Sequence, residues 1–204
     1  MRLHVEKRAI RALGVAESFR KSSIKAVLAG VVMRSDLVVD GVAYSTTTVR
    51  GDDATDAVIE LYRALDRNDI NVIMLGGVVI SMYNIIDLDR LYSTLSLPII
   101  GVTFEESEGL EEHIMRVFQG EKAEMKLEAY RRLGSRERVM LKTGHDVYLR
   151  CAGTNIRVAR RALNKFLLQG SVPEPIRVAR LLARAVLKYA SSTSNDKNST
   201  IQPV

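Results

Sequence analysis

Five residues of this 204-residue chain could do chemistry together: Glu17, Asp52, Asp53, Asn84 and Asp87. Glu17 stands out because it follows an apolar run within RALGVAESF at 11–19, and a carboxylate at the mouth of a buried strand is costly unless something uses it. Asp52 and Asp53 open a helical pattern after Gly51, while Asn84 and Asp87 lie beyond the apolar segment at 70–80. Carboxylates gathered within a few ångströms repel one another unless a divalent cation joins them, and oxygen ligands select magnesium or manganese. Such an ion would activate water and stabilise a pentacovalent phosphate. Glu17 and Asp53 are therefore read as metal ligands and catalytic acids, with side-chain oxygens about 4–7 Å apart, the span one hexacoordinate cation bridges. Asn84 or Asp87 would orient the substrate. The competing reading is capping: Asp52 or Asp53 for their own helix, Asn84 and Asp87 for the next. Glu17 has no cap to provide.

These residues need a sheet to hold them. The runs at 11–15 and 70–80 read as strands buried on both faces, hence parallel neighbours in an α/β sheet. Segments 24–33 and 37–49 read as strands completing an antiparallel meander, with Asp40-Gly41 a possible hairpin that splits the last of them. Ala57, Val58, Leu61, Tyr62 and Leu65 recur at helical spacing, Leu88–Leu95 forms a short helix, and 98–104 is a fifth strand. A helical, charged stretch follows to Leu133, then a hairpin over 138–150, an amphipathic helix over 155–168 and a last helix from Pro173-Glu174-Pro175 to about Tyr189. The order predicts a ribonuclease H-like mixed five-stranded sheet over 11–104, with strand one in the middle and ligands at the carboxyl ends of its parallel strands. Residues 1–190 read as one domain and 191–204, rich in Ser, Thr, Asn and Lys, as a disordered tail.

Composition narrows the partners. With 47% hydrophobic and 26% charged residues the chain is an ordinary globular protein, and its longest apolar run is too short to span a bilayer. A cytoplasmic location is expected, since the single Cys151 cannot form an intramolecular disulfide and there is no apolar leader. The net charge of +6 is uneven: Phe104–Glu128 is rich in glutamate, while Lys142–Ala190 carries ten Lys and Arg against Asp146 and Glu174. Arg157, Arg160, Arg161 and Lys165, then Arg177, Arg180, Arg184 and Lys188, recur every three or four residues. Each helix so presents a basic stripe that can follow a nucleic-acid backbone or simply face solvent. His4, His113 and His145 lack metal-binding spacing and read as surface residues, and no Walker loop, dinucleotide fingerprint or nucleophile elbow is present.

Four segments, GVAESF at 14–19, GDDAT at 51–55, MLGGVVISMYNIID at 74–87 and VPEPIRVARLLARAV at 172–186, together resemble an archaeal family of uncharacterised proteins related to endonuclease V. The resemblance spans residues 8–190. It implies a ribonuclease H-like fold and magnesium-dependent cleavage of a phosphodiester near a deaminated base. Asp53 matches the second acid of the pattern. Two positions depart: relatives carry aspartates where this chain has Ala16-Glu17, and endonuclease V has an acid where this chain has Gly76. Arg180 stands where some relatives have histidine. The leading expectation is a magnesium- or manganese-dependent endonuclease acting in repair on damaged nucleic acid, DNA in preference to RNA. Arg157, Arg160, Arg161, Arg177, Arg180 and Arg184 would hold the backbone. The alternatives are a nucleic-acid-binding or adaptor protein that has lost catalysis and, third, a small-molecule phosphohydrolase. The oligomeric state is left open by the sequence.

Overall fold

The computed structural model describes residues 3, 5 and 9–198, with side chains described to residue 192; His4 and residues 199–204 of the polar tail lie outside them. In chain order the elements are β1 (Arg11–Ser18), β2 (Lys25–Arg34), β3 (Val39–Thr48), α1 (Ala54–Ala64), β4 (Val72–Leu75), β5 (Val79–Ile80), β6 (Asn84–Ile85), α2 (Leu88–Leu95), β7 (Ile99–Thr103), α3 (Glu111–Val117), α4 (Gly120–Arg132), β8 (Glu137–Met140), β9 (Asp146–Ala152), α5 (Ile156–Lys165) and α6 (Glu174–Asn198). The main sheet runs β3-β2-β1-β4-β7-β9-β8. β1, β4 and β7 are parallel, and the remaining pairings are antiparallel. Among the five main-sheet strands of residues 11–104, β1 is central, as the order of apolar runs predicts, while β5 and β6 pair separately. The later hairpin, rather than standing apart, adds β9 and β8 to the β7 edge. β3 is one strand, not two: Asp40 is an unpaired bulge between the Val32–Gly41 and Met33–Val39 pairs.

Two layers of helix cover the sheet. Leu13 and Val15 of β1 point to the side of α1 and α2, where they join Val58, Leu61, Ile73 and Leu91; Ala12 and Ala16 point to the side of α5 and α6 with Met74, Ile100, Leu163 and Ile176. This strict alternation explains why β1 and β4 are apolar without a break. The start of α6 lies on the bare backbone of β1. A methyl group at Gly14 would stand 2.6 Å from the Ile176 nitrogen, and one at Gly76 would stand 2.8 Å from Ile176 Cγ2. The chain entering α6 is fixed by the Glu174 amide donating to the Phe166 carbonyl, and α6 runs past Ser191, where the composition alone suggests a disordered tail, to Asn198. Ser191 and Ser192 hydroxyls donate back to the Leu187 and Tyr189 carbonyls, which keeps polar residues compatible with helix. The helical stretch before Leu133 is broken at Phe118 and Gln119, both extended, with Gly120 at φ 58°. No helix among the described residues is long and apolar enough to cross a membrane.

The Gly14 contact is with backbone, which cannot rotate away. Gly14→Ala is therefore expected to destabilise the fold by about 1–3 kcal/mol, as overpacking does, and to lower the thermal midpoint by roughly 2–4 °C per kcal/mol. Calorimetry of the two chains checks it, and an unchanged midpoint would mean that α6 is not seated on β1.

Candidate active site at the carboxyl ends of the parallel strands

Glu17 lies inside β1 rather than in the following loop, paired in register with Leu28 of β2. Its parity points it to the α1 side, where the chain after β4 makes a small excursion built from β5 and β6. Between those two strands Ser81, Met82 and Tyr83 all have positive φ, 44°, 58° and 73°. Three successive non-glycine residues in this region cost roughly 1–2 kcal/mol each. What holds them is the site itself. The Glu17 carboxylate accepts the Ser81 amide at 2.9 and 2.8 Å and the Ser81 hydroxyl, and the Ser81 carbonyl accepts the Arg50 amide at 2.8 Å. The Tyr83 carbonyl accepts the Lys126 ammonium at 2.8 Å. Burial raises the Glu17 pKa above its ordinary 4.5, and the Ser81 bonds only partly oppose that. An open crevice of about 310 Å³ at this edge is lined by Glu17, Phe19, Ile80, Met82, Tyr83 and Leu110.

Asp53 belongs to a second cluster. Its carboxylate accepts the Thr47 hydroxyl at 2.6 Å, the Thr48 amide at 2.9 and 3.1 Å, the Thr48 hydroxyl at 2.7 Å and the Asn84 side-chain amide at 2.7 Å. Burial works against the ion, but these hydrogen bonds outweigh it and hold the Asp53 pKa well below the ordinary carboxylate range. Asp53 occupies the N-cap position of α1 without capping it. Asn84 does so instead, from 30 residues away: its Oδ1 accepts the Ala54 amide at 3.0 Å while its Nδ2 donates to Asp53, to the Thr47 hydroxyl and to the Thr48 carbonyl. Asn84 is wholly buried. Asp52 takes a third role, meeting the buried Lys126 ammonium at 2.5 Å, and Lys126 also donates to the Gly51 carbonyl.

The expected constellation is therefore divided. Asp53 and Asn84 are joined, Glu17 is held by Ser81, and Asp87 is elsewhere, capping α2 through the Arg90 amide at 2.9 Å beside a separate cavity of about 770 Å³. Glu17 and Asp53 share no hydrogen-bond partner among the described residues. Asp53 has its lone pairs occupied by protein donors, and no group of three or more His, Cys, Asp or Glu among the described residues could hold a metal ion. The pair does not fit a magnesium or manganese site. The two departing positions are neighbours: a Cβ at Gly76 would lie 3.8 Å from that of Ala16, under Ile176. This part of the edge is sealed by packing.

The basic helices share the opposite face. Arg157, Arg160, Arg161 and Arg184 are exposed; Arg177 is paired with Glu174 at 2.5 Å. Arg180 differs, since its guanidinium lies 4.5 Å over the Phe104 ring just past the end of β7, half-buried, with burial and Arg184 lowering its pKa. Helical spacing makes it one member of a stripe; the aromatic at 104 is the available signal that it turns toward the sheet edge. Cys151 is partly buried against the α5 and α6 core, and burial pushes its thiol up to about 12. Sequence reasoning misses Ser81, because nothing in the sequence pairs it with an acid 64 residues earlier.

With this geometry in view, residues 8–187 match the family described as Endonuclease dU. The chain belongs to that family. Its relatives include a UPF0215 protein of Pyrobaculum calidifontis, 40% identical over 89% of this chain and all of the relative, and one of Methanopyrus kandleri, 32% identical over 95% and 99%. A crystal structure of a protein of unknown function from Archaeoglobus fulgidus superposes with a TM-score of 0.73 at 27% identity, covering 87% of this chain and 98% of the other. Human endonuclease V gives 0.61 at 17% identity over 90% and 86%, so the fold is the ribonuclease H-like one of endonuclease V. Ciona intestinalis endonuclease V, solved in complex with a DNA containing an inosine, gives 0.56 at 15% identity over 90% and 87%.

The two acids make opposite demands on stability. The folded Asp53 pKa is depressed, so its contribution is present above the unfolded value near 3.8 and is lost as pH falls below it. The folded Glu17 pKa is raised, so the fold is favoured below 4.5 and loses stability as pH rises through the folded value. Asp53→Asn should lower the denaturant midpoint at neutral pH, and Glu17→Gln should raise it. Both differences should shrink toward pH 3. A Glu17→Gln chain less stable than the parent at pH 7 would contradict this assignment.

Proposed function

We propose that this chain acts on nucleic acid, DNA in preference to RNA, as an endonuclease-V-like phosphodiesterase that recognises a deaminated base, with Glu17 as its working acid. The observation that carries the reading is a buried carboxylate of raised pKa at the mouth of an open crevice, held by a strained turn. A carboxylate tuned upward is suited to act as general base near neutral pH. Glu17 would take a proton from water as that water attacks phosphorus, and the departing oxygen would take a proton from solvent. Arg180, desolvated on Phe104 at the same end of the sheet, would stabilise charge building on the phosphate. Asp53 and Asn84 serve as positioning residues for the loops on either side. Membership of the Endonuclease dU family supports the nuclease class, and an open crevice fits a polymer better than a small phosphoester.

A second reading is favoured by one observation. Ala16 and Gly76 lie together under Ile176, and Asp53 is saturated by protein donors, an arrangement suited to a protein that binds damaged nucleic acid without cutting it. Oligonucleotides carrying uracil, hypoxanthine or xanthine, offered with and without magnesium or manganese, separate the two. Cleavage at the altered base, lost in Glu17→Gln with binding retained, is expected from the first reading. Selective binding with no cleavage in any buffer would establish the second, and cleavage that survives Glu17→Gln would overturn the role given to Glu17.

Backbone binding has its own signature. If Arg157, Arg160 and Arg184 meet phosphates, replacing all three by glutamate should reduce the slope of log affinity against log salt by roughly 0.9 for each phosphate no longer neutralised. An unchanged slope would leave those residues as solvent-facing charges.

A further inference from the structure

The outer edge of β3 is a ten-residue strand with which no other strand among the described residues pairs. Which of its backbone groups are free follows from the register. The Val49 amide donates to the Ile24 carbonyl at 2.9 Å, and hydrogen-bonded pairs then alternate along the ladder, so Thr47, Ser45, Ala43 and Gly41 turn their backbone groups to β2. Thr48, Thr46, Tyr44 and Val42 turn theirs outward. The two ends of this outward row are closed by the chain itself. The Thr48 amide donates to Asp53, its carbonyl accepts from Asn84, and the Asp40 carbonyl accepts from Arg67 at 2.5 Å. What remains is a window of three residues, Val42, Tyr44 and Thr46, each offering one N–H and one C=O.

Between the Asp40 bulge at one end and Thr48 at the other, this window carries no charged or proline residue to guard it. VDGVAYSTTT contains no Lys, Arg, Glu or Pro, and its one charge, Asp40, is held by Arg11 and Arg67. The side chains of Val42 and Tyr44 are 57% and 60% exposed, and Val38 and Val39 just before them are also exposed. A window of three outward residues centred on Tyr44 is self-complementary. Laid antiparallel against its own copy about a two-fold axis at Tyr44, it pairs Tyr44 with Tyr44 and Val42 with Thr46 twice, forming six backbone hydrogen bonds with no group left over.

From this we infer that the chain forms a two-fold dimer through β3, joining two seven-stranded sheets into one continuous sheet with Tyr44 on the axis. The occupant of the edge is a second copy, because the free window, closed by the chain at both ends and centred on Tyr44, matches itself in length and register.

Light scattering on the full chain should give twice the 22.7 kDa of one chain across the micromolar range. Thr46→Pro removes an outward donor without touching the bonds to β2 and should give a single-chain mass; Tyr44→Lys, which places like charges on the axis, should do the same if the proline variant does not fold. Tyr44→Cys should cross-link to a dimer on oxidation, because residues in a hydrogen-bonded antiparallel pair have Cα atoms about 5.5 Å apart, within disulfide reach. Val42→Cys alone should not, whereas Val42→Cys with Thr46→Cys should. A single-chain mass for the parent protein, a dimer untouched by either edge variant, or cross-linking through Val42→Cys alone would overturn the inference.

Discussion

The backbone of α6 rests on the backbone of β1, and most of the molecule follows from that contact. It needs a residue without a side chain at Gly14 and another at Gly76, and it brings Ile176 down over Ala16. Once Ile176 is there, the carboxyl ends of β1 and β4 cannot carry large polar groups on that face. The same seating aims Arg180 one helical turn further on, toward Phe104 at the end of β7. The apolar seal and the half-buried cation are thus two consequences of one packing arrangement, and Glu17, whose parity places it on the other face, is the acid that escapes it.

On that other face the controlling group is the Asn84 amide. An asparagine can accept and donate at once, and here it accepts from the start of α1 while donating to Asp53 and to the end of β3. A buried network in which every member is satisfied rigidifies its surroundings. No buried side-chain polar atom among those described lacks a partner. The consequence for chemistry is specific: a carboxylate that accepts from Thr47, Thr48 and Asn84 is an excellent structural anion and a poor metal ligand. Glu17 is the reverse, since its hydrogen bonds come from Ser81 and burial makes its charged form less comfortable. Asp53 builds the frame, and the role proposed for Glu17 rests on this difference.

Much of this was legible in the sequence where the physics is local. Unbroken apolar runs at 11–15 and 70–80 announce strands buried on both faces, and helical spacing from Ala57 to Leu65 announces α1. The charged stretch before Leu133 reads as continuous helix, so the break between α3 and α4 at Phe118 and Gln119 was not legible. What could not be read depended on partners distant in sequence. Asn84 caps a helix 30 residues earlier, and a capping rule that looks three residues ahead assigns it to the wrong helix. The turn at Ser81–Tyr83 has no glycine to betray its positive φ, because its conformation is imposed by Glu17 and Lys126 rather than preferred by its residues. The hairpin over 138–150 was visible, but its place at the β7 edge was not, because Val147 and Leu149 match the α5 and α6 core only once that core exists.

The two faces also divide the electrostatics. The basic residues of α5 and α6 lie on one side of the sheet and the Glu17 crevice opens on the other, so a nucleic acid reaching both must cross the carboxyl ends of β1, β4 and β7, where Arg180 stands. A two-fold axis perpendicular to a sheet preserves its faces. Joining two chains through β3 would therefore set both pairs of basic helices on the same face and double its width, while the two Glu17 crevices, at the carboxyl ends of antiparallel halves, would point in opposite directions. One continuous duplex cannot then occupy both crevices by following a single edge. On the proposed function each site would work on its own strand segment, and the broad basic face between them would serve to retain the polymer, an electrostatic role that would weaken with salt while general-base action by Glu17 would not.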